Sequence, residues 1–257
     1  MDGPMDEPGA GRPPPPAKRL RAKIGVILPP PNTLKEAEWS LMAPEGVSVH
    51  ATRMPLHDSA SSGEGKRRLY GDIERAAGYL AEAGLDAIAY GCTAGSMVQP
   101  VSELGDFMGG ISGVPCVTTA ASLVAAAGAL GAERIAIATP YHDALNEHEA
   151  RFFTGAGFEV TNIAGLGIGA DGPADYVRIA RTDRDEIAGH AVDSDTGDAD
   201  LLVISCTDLP VLGLIPELED RLGKPVVTSN QATFWATLRA AGIGDRFEAF
   251  GALLKNH

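Results

Sequence analysis

Short apolar runs alternate with stretches of helical spacing along most of this chain. Residues 24–28, 87–90, 135–138 and 201–204 are almost entirely apolar, which is typical of strands buried on both faces of a parallel sheet. Leu69, Ile73, Ala77 and Leu80 instead recur at intervals of three and four, and Gly84 follows them, so this stretch predicts an amphipathic helix. Strands that alternate with helices in this way predict an α/β fold.

The second half of the chain repeats the order of the first. Asp86 and Asp200 each precede an apolar run, and Cys-Thr follows six residues after each Asp. Residues 24–29 match 135–140, and residues 114–118 match 224–228. A repeat in register over about a hundred residues predicts a duplicated unit. We therefore expect two pseudo-symmetric lobes, each a parallel sheet flanked by helices, with an active site in the cleft between them.

The three cysteines fall into two kinds of position in this repeat. Cys116 aligns with Val226 in the middle of a strand, so it is predicted to be a small core residue. Cys92 and Cys206 align with each other at the ends of strands, where α/β folds place their ligands. A helix N-terminus after such a strand favours the thiolate, which is the nucleophilic form. The sequence thus predicts Cys92 and Cys206 as a facing catalytic pair.

Side chains that form hydrogen bonds surround both thiols in the sequence. Thr93, Ser96 and Thr207 follow the cysteines and, with backbone amides, would cradle a substrate carboxylate without an arginine. Asn32 and Tyr141 follow the two strands that end in proline, so we expect them to reach the same cleft and to stabilise an oxyanion. Asn32 is equally well placed to be a helix cap.

The composition limits the classes of partner that this protein is expected to bind. The 257 residues carry a net charge of −13, which argues against a nucleic-acid partner. No apolar run approaches the roughly 18 residues of a membrane span, so no membrane partner is expected. Three cysteines without a secretory signal favour a cytoplasmic location. The cysteines have no His or Cys at zinc-ligand spacing, and we expect no metal.

Five motifs, taken in order, resemble the aspartate/glutamate racemase superfamily and within it the maleate cis-trans isomerase and arylmalonate decarboxylase branch. They are Pro-Asn32-Thr-x-x-Glu36, Gly-Cys92-Thr-x-Gly-Ser96, Thr139-Pro-Tyr141, Ser-Cys206-Thr-x-Leu-Pro210 and Thr228-Ser-Asn-Gln231. The resemblance covers residues 23 to about 242. It implies a cofactor-independent homodimeric enzyme that acts on a small carboxylate.

The resemblance also implies roles and a domain division. Cys92 and Cys206 would be the catalytic pair, Asn32 and Tyr141 would bind substrate, and residues 93–96 would hold a carboxylate. An exchange of C-terminal segments between lobes would give a first lobe of residues 23–112 plus 211–257 and a second lobe of residues 113–210. The Pro- and Gly-rich residues 1–22 are expected to form a disordered tail.

Three departures from family patterns narrow the reaction. Amino-acid racemases usually carry an acidic residue in the first loop, where this chain has Asn32, and the decarboxylases have only one of the two cysteines. Both departures favour an isomerase. Maleate isomerases usually bring a further asparagine from the segment that corresponds to residues 167–172. Here that segment contains Asp171, which would repel a dicarboxylate, so maleate itself is disfavoured as the substrate.

We therefore expect a cofactor-independent isomerase of a small unsaturated carboxylate, in which the Cys92 thiolate adds to the double bond and Cys206 is the general acid and base. A racemase or epimerase would instead use the two thiols to exchange a proton at one carbon. An arylmalonate-type decarboxylase is a third possibility. A thiol-redox or carboxylate-binding protein would use the same cleft without turnover. Residues 57–65 are a candidate lid over this cleft.

Overall fold

The computed structural model describes residues 20–57 and 63–257. Residues 1–19 of the predicted tail and residues 58–62 of the candidate lid lie outside the described residues. The strands are β1 (Ala22–Leu28), β2 (Val47–Arg53), β3 (Ala87–Tyr90), β4 (Cys116–Thr118), β5 (Arg134–Tyr141), β6 (Glu159–Ile168), β7 (Leu201–Ile204) and β8 (Val226–Thr228).

Helices connect and cover these strands. They are α1 (Lys35–Met42), α2 (Gly63–Ala81), α3 (Thr93–Ser96), α4 (Glu103–Ser112), α5 (Thr119–Ala129), α6 (Asp143–Gly155), α7 (Arg184–Ser194), α8 (Ile215–Leu222), α9 (Ser229–Ala240) and α10 (Gly251–Asn256). Shorter 3₁₀ segments occupy Pro173–Arg181, Leu212–Leu214 and Glu248–Phe250. No helix within residues 20–57 and 63–257 has the length and apolar character that a bilayer crossing requires.

The described strands form two four-stranded parallel sheets with the same topology. The first has the order β2-β1-β3-β4 and the second has the order β6-β5-β7-β8. The register is also the same, since Ile24 pairs with Ala87 in the first sheet and Ile135 pairs with Leu201 in the second. The predicted α/β fold with two pseudo-symmetric lobes is confirmed.

The aspartate that begins each repeat fixes this register. Asp86 Oδ2 accepts a hydrogen bond from the Lys23 amide at 2.8 Å, and Asp200 Oδ2 accepts one from the Arg134 amide at 2.8 Å. Each carboxylate therefore joins the start of its own strand to the start of the neighbouring strand. Charge-assisted bonds of this kind are stronger than neutral ones, and they align the far ends of both strands, where the cysteines lie.

The lobes differ in detail from the predicted division. Ala22 already belongs to β1, and Arg21 forms an ion pair with Asp245 at 2.6 Å, so the ordered chain begins before residue 23. Strand β4 pairs with β3 in the first sheet although it falls in the predicted second lobe, and β8 pairs with β7 in the second sheet. Helix α9 follows β8 of the second sheet but packs on β3 and β4 of the first sheet and on α5. Each of these strands therefore stays with the sheet of its own half of the chain, unlike in the predicted division.

Apolar packing continues through the junction of the lobes. Helices α5 and α9 contribute Leu123, Ala126, Phe234 and Leu238 to a core that includes both β1 and β5. A second cluster covers the outer face of the first sheet, against α2 and α4. Close-packed interiors have low compressibility, so the core holds the strand ends on the two sides of the cleft at a fixed separation.

Candidate active site

A small pocket lies between the carboxyl ends of the two sheets, where parallel α/β folds place their ligands. Its free volume is about 50 Å³. At roughly 10–15 Å³ per water this equals a few water molecules, which is the scale of a small organic acid. The pocket is lined by Pro29, Pro31, Asn32, Leu56, Cys92, Thr93, Ala94, Tyr141, Leu145, Tyr176, Ile179, Cys206, Thr207 and Asp208.

Six of the seven side chains singled out from the sequence line this pocket. They are Asn32, Cys92, Thr93, Tyr141, Cys206 and Thr207. Ser96 does not line it, because its hydroxyl donates to the Thr93 carbonyl at 3.1 Å and accepts from the Ala120 amide at 2.9 Å. Ser96 therefore ties α3 to α5, and it is not positioned to hold a substrate carboxylate.

Cys92 caps the short helix α3. Its Sγ accepts a hydrogen bond from the Gly95 amide at 3.4 Å, and the buried hydroxyl of Tyr90 is hydrogen bonded to the same sulfur. A Cβ at Gly95 would collide with the Tyr90 hydroxyl and would lie 2.7 Å from the His57 carbonyl. Glycine is required here because only a bare Cα allows both the amide and the tyrosine to approach the thiol.

Cys206 lies in a turn rather than at a helix. Its Sγ accepts from the Asp208 amide at 3.4 Å, and its own amide donates to Ser229 Oγ at 3.0 Å. Burial raises the pKa of Cys206 to about 12, although the hydroxyl of Tyr141 and the Asp208 amide act in the opposite direction. The Cys206 thiol is therefore protonated at neutral pH.

The loop after β1 is fastened to the turn of Cys206. Asn32 Nδ2 donates to the carbonyl and the hydroxyl of Thr207, at 2.9 and 3.0 Å. Asp208 Oδ1 accepts from the amides of Thr33 and Leu34, at 2.8 and 3.1 Å. Asn32 Oδ1 also accepts from the Lys35 amide at 3.2 Å, so Asn32 is a local cap as well as a bridge between the lobes.

Tyr141 is positioned by a polar contact beneath it. Thr139 Oγ1 accepts from the Tyr141 amide at 3.0 Å and donates to Asn146 Oδ1 at 2.6 Å. Burial, and then the neighbouring Cys206, raise the pKa of Tyr141 well above its ordinary value. Its hydroxyl is therefore a permanent proton donor in the neutral range, suited to a substrate oxygen or to the sulfur of Cys206.

One wall of the pocket is apolar. It consists of Leu56, Leu145 and Ile179, with the ring of Tyr176 beside them. Tyr176 and Ile179 come from the 3₁₀ segment Pro173–Arg181, which follows the loop that contains Asp171. Asp171 itself is exposed and does not line the pocket, so the predicted repulsion between this residue and a dicarboxylate is wrong.

The sequence analysis missed two charged residues at the site. Lys35 is fully buried beside the pocket, on the same face of α1 as Trp39 and Met42. A spacing of four and seven residues is typical of a buried helix face, so the position of Lys35 relative to Trp39 and Met42 was the sequence feature that could have predicted its burial. Asp208 lines the pocket, and its Oδ2 is buried without a hydrogen-bond partner among the described residues. Burial raises the pKa of Asp208.

The described part of the chain contains no group of three or more His, Cys, Asp or Glu side chains arranged to hold a metal ion. The groups that face the pocket are instead two thiols, hydroxyls, an amide and one carboxyl. Such a set can add sulfur to a substrate, move protons and bind oxygens.

Maleate isomerases of known sequence or structure align with this chain over most of its length. A maleate isomerase from Pseudomonas putida is 29% identical over 253 residues, which cover 90% of this chain and 96% of that protein. The crystal structure of the maleate isomerase Iso from Pseudomonas putida S16 aligns with a TM-score of 0.79 at 29% identity, over 91% of this chain and 98% of that one. A mutant of Nocardia farcinica maleate cis-trans isomerase with a covalently bound succinylcysteine intermediate aligns with a TM-score of 0.76 at 26% identity, over 92% and 99% of the two chains.

The remaining comparison concerns the family as a whole. Its sequence model, described as arylmalonate decarboxylase, matches residues 24–254, which includes both sheets and every residue that lines the pocket. The order of the strands, the paired cysteine turns and this match all point to the same family. The chain belongs to the arylmalonate decarboxylase family, which supports the resemblance first recognised in its five motifs.

Proposed function

We propose that this protein is a cofactor-independent isomerase that interconverts the cis and trans forms of a small unsaturated carboxylate of the maleate type. The observation that carries the proposal is the pair of thiols in one pocket, in unlike surroundings. Each sulfur receives a backbone amide and a tyrosine hydroxyl, but burial and the Asp208 carboxyl raise the pKa of Cys206 to about 12, whereas Cys92 is the stronger charge neighbour of the buried Lys35. One sulfur is thus equipped as a nucleophile and the other as an acid.

The reaction then proceeds by reversible addition. The Cys92 thiolate forms a bond from Sγ to one alkene carbon, and the π electrons move to the adjacent carbon and its carboxylate. The Cys206 thiol donates its proton to that adjacent carbon, which leaves a saturated thioether and a Cys206 thiolate. Rotation about the new single bond follows. Cys206 then removes the proton again, the double bond re-forms in the other geometry, and the Cys92 thiolate leaves.

The surroundings of Cys206 fit both halves of this cycle. Its high pKa keeps the proton in place until charge develops on the substrate carbon. Once the proton has left, the Tyr141 hydroxyl and the Asp208 amide stabilise the thiolate that remains. The relative with a succinylcysteine intermediate supports the same sequence of addition and protonation, because a succinyl group is the saturated product of both steps.

Hydroxyl groups are oriented to bind a substrate carboxylate. Thr207 Oγ1 accepts from Asn32, which leaves the Thr207 proton free to donate. Ser229 Oγ accepts from the Cys206 amide, so the Ser229 proton is available for Thr93 Oγ1 at 3.0 Å. The proton of Thr93 is then directed to the pocket. Thr93, Thr207 and Tyr141 together supply three donors without a positive charge.

A racemase is the nearest rival, and the unequal thiols argue against it. A racemase that exchanges a proton between two thiols needs each of them to be the base in one direction. A Cys206 pKa of about 12 makes its thiolate a rare resting form, although it suits an acid well. A decarboxylase needs only one of the two sulfurs, and both line this pocket.

Intact-mass measurement with maleate and substituted maleates tests the proposal. Cys206→Ala removes the group that takes the proton back from the saturated adduct, so an adduct of substrate mass, protonated by water instead, should accumulate on Cys92 while turnover stops. Cys92→Ala should form no adduct and show no turnover. Cys116→Ala is the matched control, and it should behave as the native protein does.

Two results would contradict the proposal. An adduct that persists in Cys92→Ala would place the nucleophile elsewhere. Absence of any adduct in Cys206→Ala, together with solvent deuterium at the substrate α-carbon of the native protein, would instead support a racemase.

Assembly and location form a further part of the proposal. The resemblance supports a homodimer, and the composition supports the cytoplasm. Sedimentation equilibrium tests the first of these, and fractionation of the source cells tests the second. A monomer at micromolar concentration, or recovery in the membrane fraction, would refute the corresponding statement.

A further inference from the structure

Lys35 is a buried lysine that forms no ion pair with any residue the structure describes. Its side chain is fully buried at the start of α1. Nζ donates to Thr119 Oγ1 at 3.3 Å and lies 5.3 Å from the centre of the Trp39 ring. Among the described residues no carboxylate oxygen lies within 4.0 Å of Nζ. Lysine is almost never buried in this way, because removal of its charge from water is costly.

The side chain of Lys35 runs beneath the residue that precedes Cys92. A Cβ on Gly91 would lie 3.0 Å from Lys35 Cδ and 2.9 Å from the side chains of Val26 and Leu28. The absence of a side chain at Gly91 is therefore what lets the lysine approach the end of β3. Thr119 completes the contact, because it donates to the Tyr90 carbonyl at 3.2 Å and receives Lys35 Nζ on the same hydroxyl.

The charges that face Lys35 come from three elements. Burial lowers the pKa of Lys35 to about 7, and Cys92, Glu38 and Cys206 oppose this change, in that order of size. Glu38 lies on α1 itself, and its two oxygens are already engaged by Asn230 Nδ2 at 2.6 Å and the Leu212 amide at 3.3 Å. Cys92 is therefore the strongest of these neighbours, and of the two that line the pocket it affects the pKa of Lys35 more than Cys206 does.

We propose that the buried ammonium of Lys35 is the counter-charge that holds Cys92 as a thiolate in the resting protein. Lys35 is then a positioning residue, which acts on substrate only through the sulfur of Cys92. The inference rests on the proposed function for the reaction it serves, but the charge relation itself needs no substrate. It also explains why a cation is kept in a core where an apolar side chain of equal volume would fold as well or better.

Alkylation of Cys92 tests this relation directly. Iodoacetamide reacts with the thiolate, and mass spectrometry of the peptide that contains Cys92 gives the rate from about pH 6 to about pH 10. In Lys35→Met the rate at pH 7 should fall at least about tenfold, and its rise with pH should move to higher pH, because an opposite charge nearby typically shifts a pKa by about one to three units.

Lys224→Met is the matched control. Lys224 is also mostly buried, with an 11% exposed side chain, but it is paired with Asp195 at 2.9 Å at the other end of the second sheet. Its removal should leave Cys92 alkylation unchanged and lower the melting temperature. Lys35→Met should retain or raise the melting temperature while it slows alkylation. Native alkylation rates in a folded Lys35→Met would overturn the inference.

A second measurement covers the case in which Lys35→Met does not fold. The ε-carbon signal of Lys35 reports its titration by NMR in the native protein and in Cys92→Ala. Because Cys92 raises the pKa of Lys35, its removal should move the Lys35 titration to lower pH. An unchanged titration would overturn the inference. Neither readout involves turnover, so a normal Lys35 effect without any enoate adduct would refute the proposed function alone.

Discussion

The two cysteine turns occupy the same place in the repeat, and each sulfur receives a backbone amide and a tyrosine hydroxyl, yet the charged residues nearest to them differ. Cys92 has a fully buried lysine beside it and caps the short helix α3. Cys206 is followed by Asp208 in a turn, and burial dominates its pKa. The repeat therefore places two sulfurs at equivalent positions, and the side chains around them suit one position to anionic sulfur and the other to neutral sulfur.

This contrast shows where the chemistry of such a fold resides. The backbone and the strand register place both thiols, and they are nearly identical in the two lobes. The charged side chains around the thiols, which include Lys35 on α1 and Asp208 in the Cys206 turn, distinguish the two sulfurs. A pocket with equivalent sulfurs would suit a proton exchange between two like bases, whereas unlike sulfurs suit an addition followed by a protonation.

The sharpest test of the contrast is the relative reactivity of the two thiols. Cys92 should react with iodoacetamide at least about a hundredfold faster than Cys206 at pH 8, because few Cys206 thiolates exist far below a pKa of about 12. The Cys206 rate should still rise steeply above pH 9. Peptide mapping by mass spectrometry measures both rates in one sample. Equal rates would remove the distinction between nucleophile and acid.

The buried acid behind Tyr141 offers a second test, through stability. Glu149 is fully buried, neither of its oxygens has a hydrogen bond of regular geometry to a described residue, and burial raises its pKa to about 7. The pKa of Glu149 is higher in the folded protein than in the unfolded protein, where it is near 4.5. Protonation of Glu149 therefore stabilises the folded state fully below pH 4.5, and this stabilisation is lost as the pH rises through 7. The native protein should therefore be less stable at pH 8 than at pH 5 for this reason.

Glu149→Met should remove that dependence. The gain in the free energy of unfolding should be larger at pH 8 than at pH 5 by about 2–3 kcal/mol, since tenfold in proton affinity is worth about 1.4 kcal/mol. Urea titrations at the two pH values give this difference. Glu147→Met, on the exposed face of the same helix, should show no comparable pH dependence. The same gain at both pH values would mean that the pKa of Glu149 is not raised in the folded protein.

The two tyrosines that reach the sulfurs provide a third test. Tyr141→Phe removes a hydroxyl that lines the pocket and is hydrogen bonded to Cys206, so kcat/KM should fall roughly tenfold to a hundredfold. Tyr90→Phe removes a hydroxyl that contacts Cys92 from inside the core. It should slow Cys92 alkylation a few-fold and leave KM unchanged. A large KM effect in Tyr90→Phe would indicate that this hydroxyl contacts substrate.

The smallest expected effect concerns the third residue of each turn, which is Ala94 beside Cys92 and Asp208 beside Cys206. Asp208→Asn keeps an oxygen for the amides of Thr33 and Leu34 but removes the negative charge from the pocket. KM for a dicarboxylate should fall about threefold to fivefold, and KM for a monocarboxylate should change less. Steady-state kinetics with matched acid and monoamide substrates measure both. Equal changes would show that Asp208 does not face the second carboxylate.

The sequence was sufficient to predict most of the architecture and six of the residues that line the pocket. This succeeded because buried parallel strands are continuous apolar runs and because their ends are fixed by the repeat. Cys92 and Cys206 could be separated from Cys116 on that basis alone. The predicted division placed β4 and β8 in the lobes opposite to the sheets they join, because it followed the exchange of C-terminal segments that the resemblance implies.

The remaining features depend on contacts between distant segments. The spacing after Cys92 places Ser96 near the pocket, but only the three-dimensional structure shows its hydroxyl turned to Ala120. Tyr176 and Ile179 come from a 3₁₀ segment whose irregular pattern predicts no element. Lys35 was missed because a lysine in a surface helix normally extends its charge into water. Its buried environment is created by Gly91 and Thr119, which are 56 and 84 residues further along the chain.

The indole of Trp39 is positioned to report the charge of Lys35. It is fully buried, donates through Nε1 to the Asn230 carbonyl at 3.2 Å, and lies over the ammonium of Lys35. The chain has two tryptophans, so Trp235→Phe leaves Trp39 as the only tryptophan, which can be excited selectively at wavelengths where tyrosine does not absorb. A charge against an indole face perturbs its excited state, and the emission should change when that charge is lost. The protein thus contains an optical indicator, readable in a stopped-flow cuvette, for the proton on which its nucleophile depends.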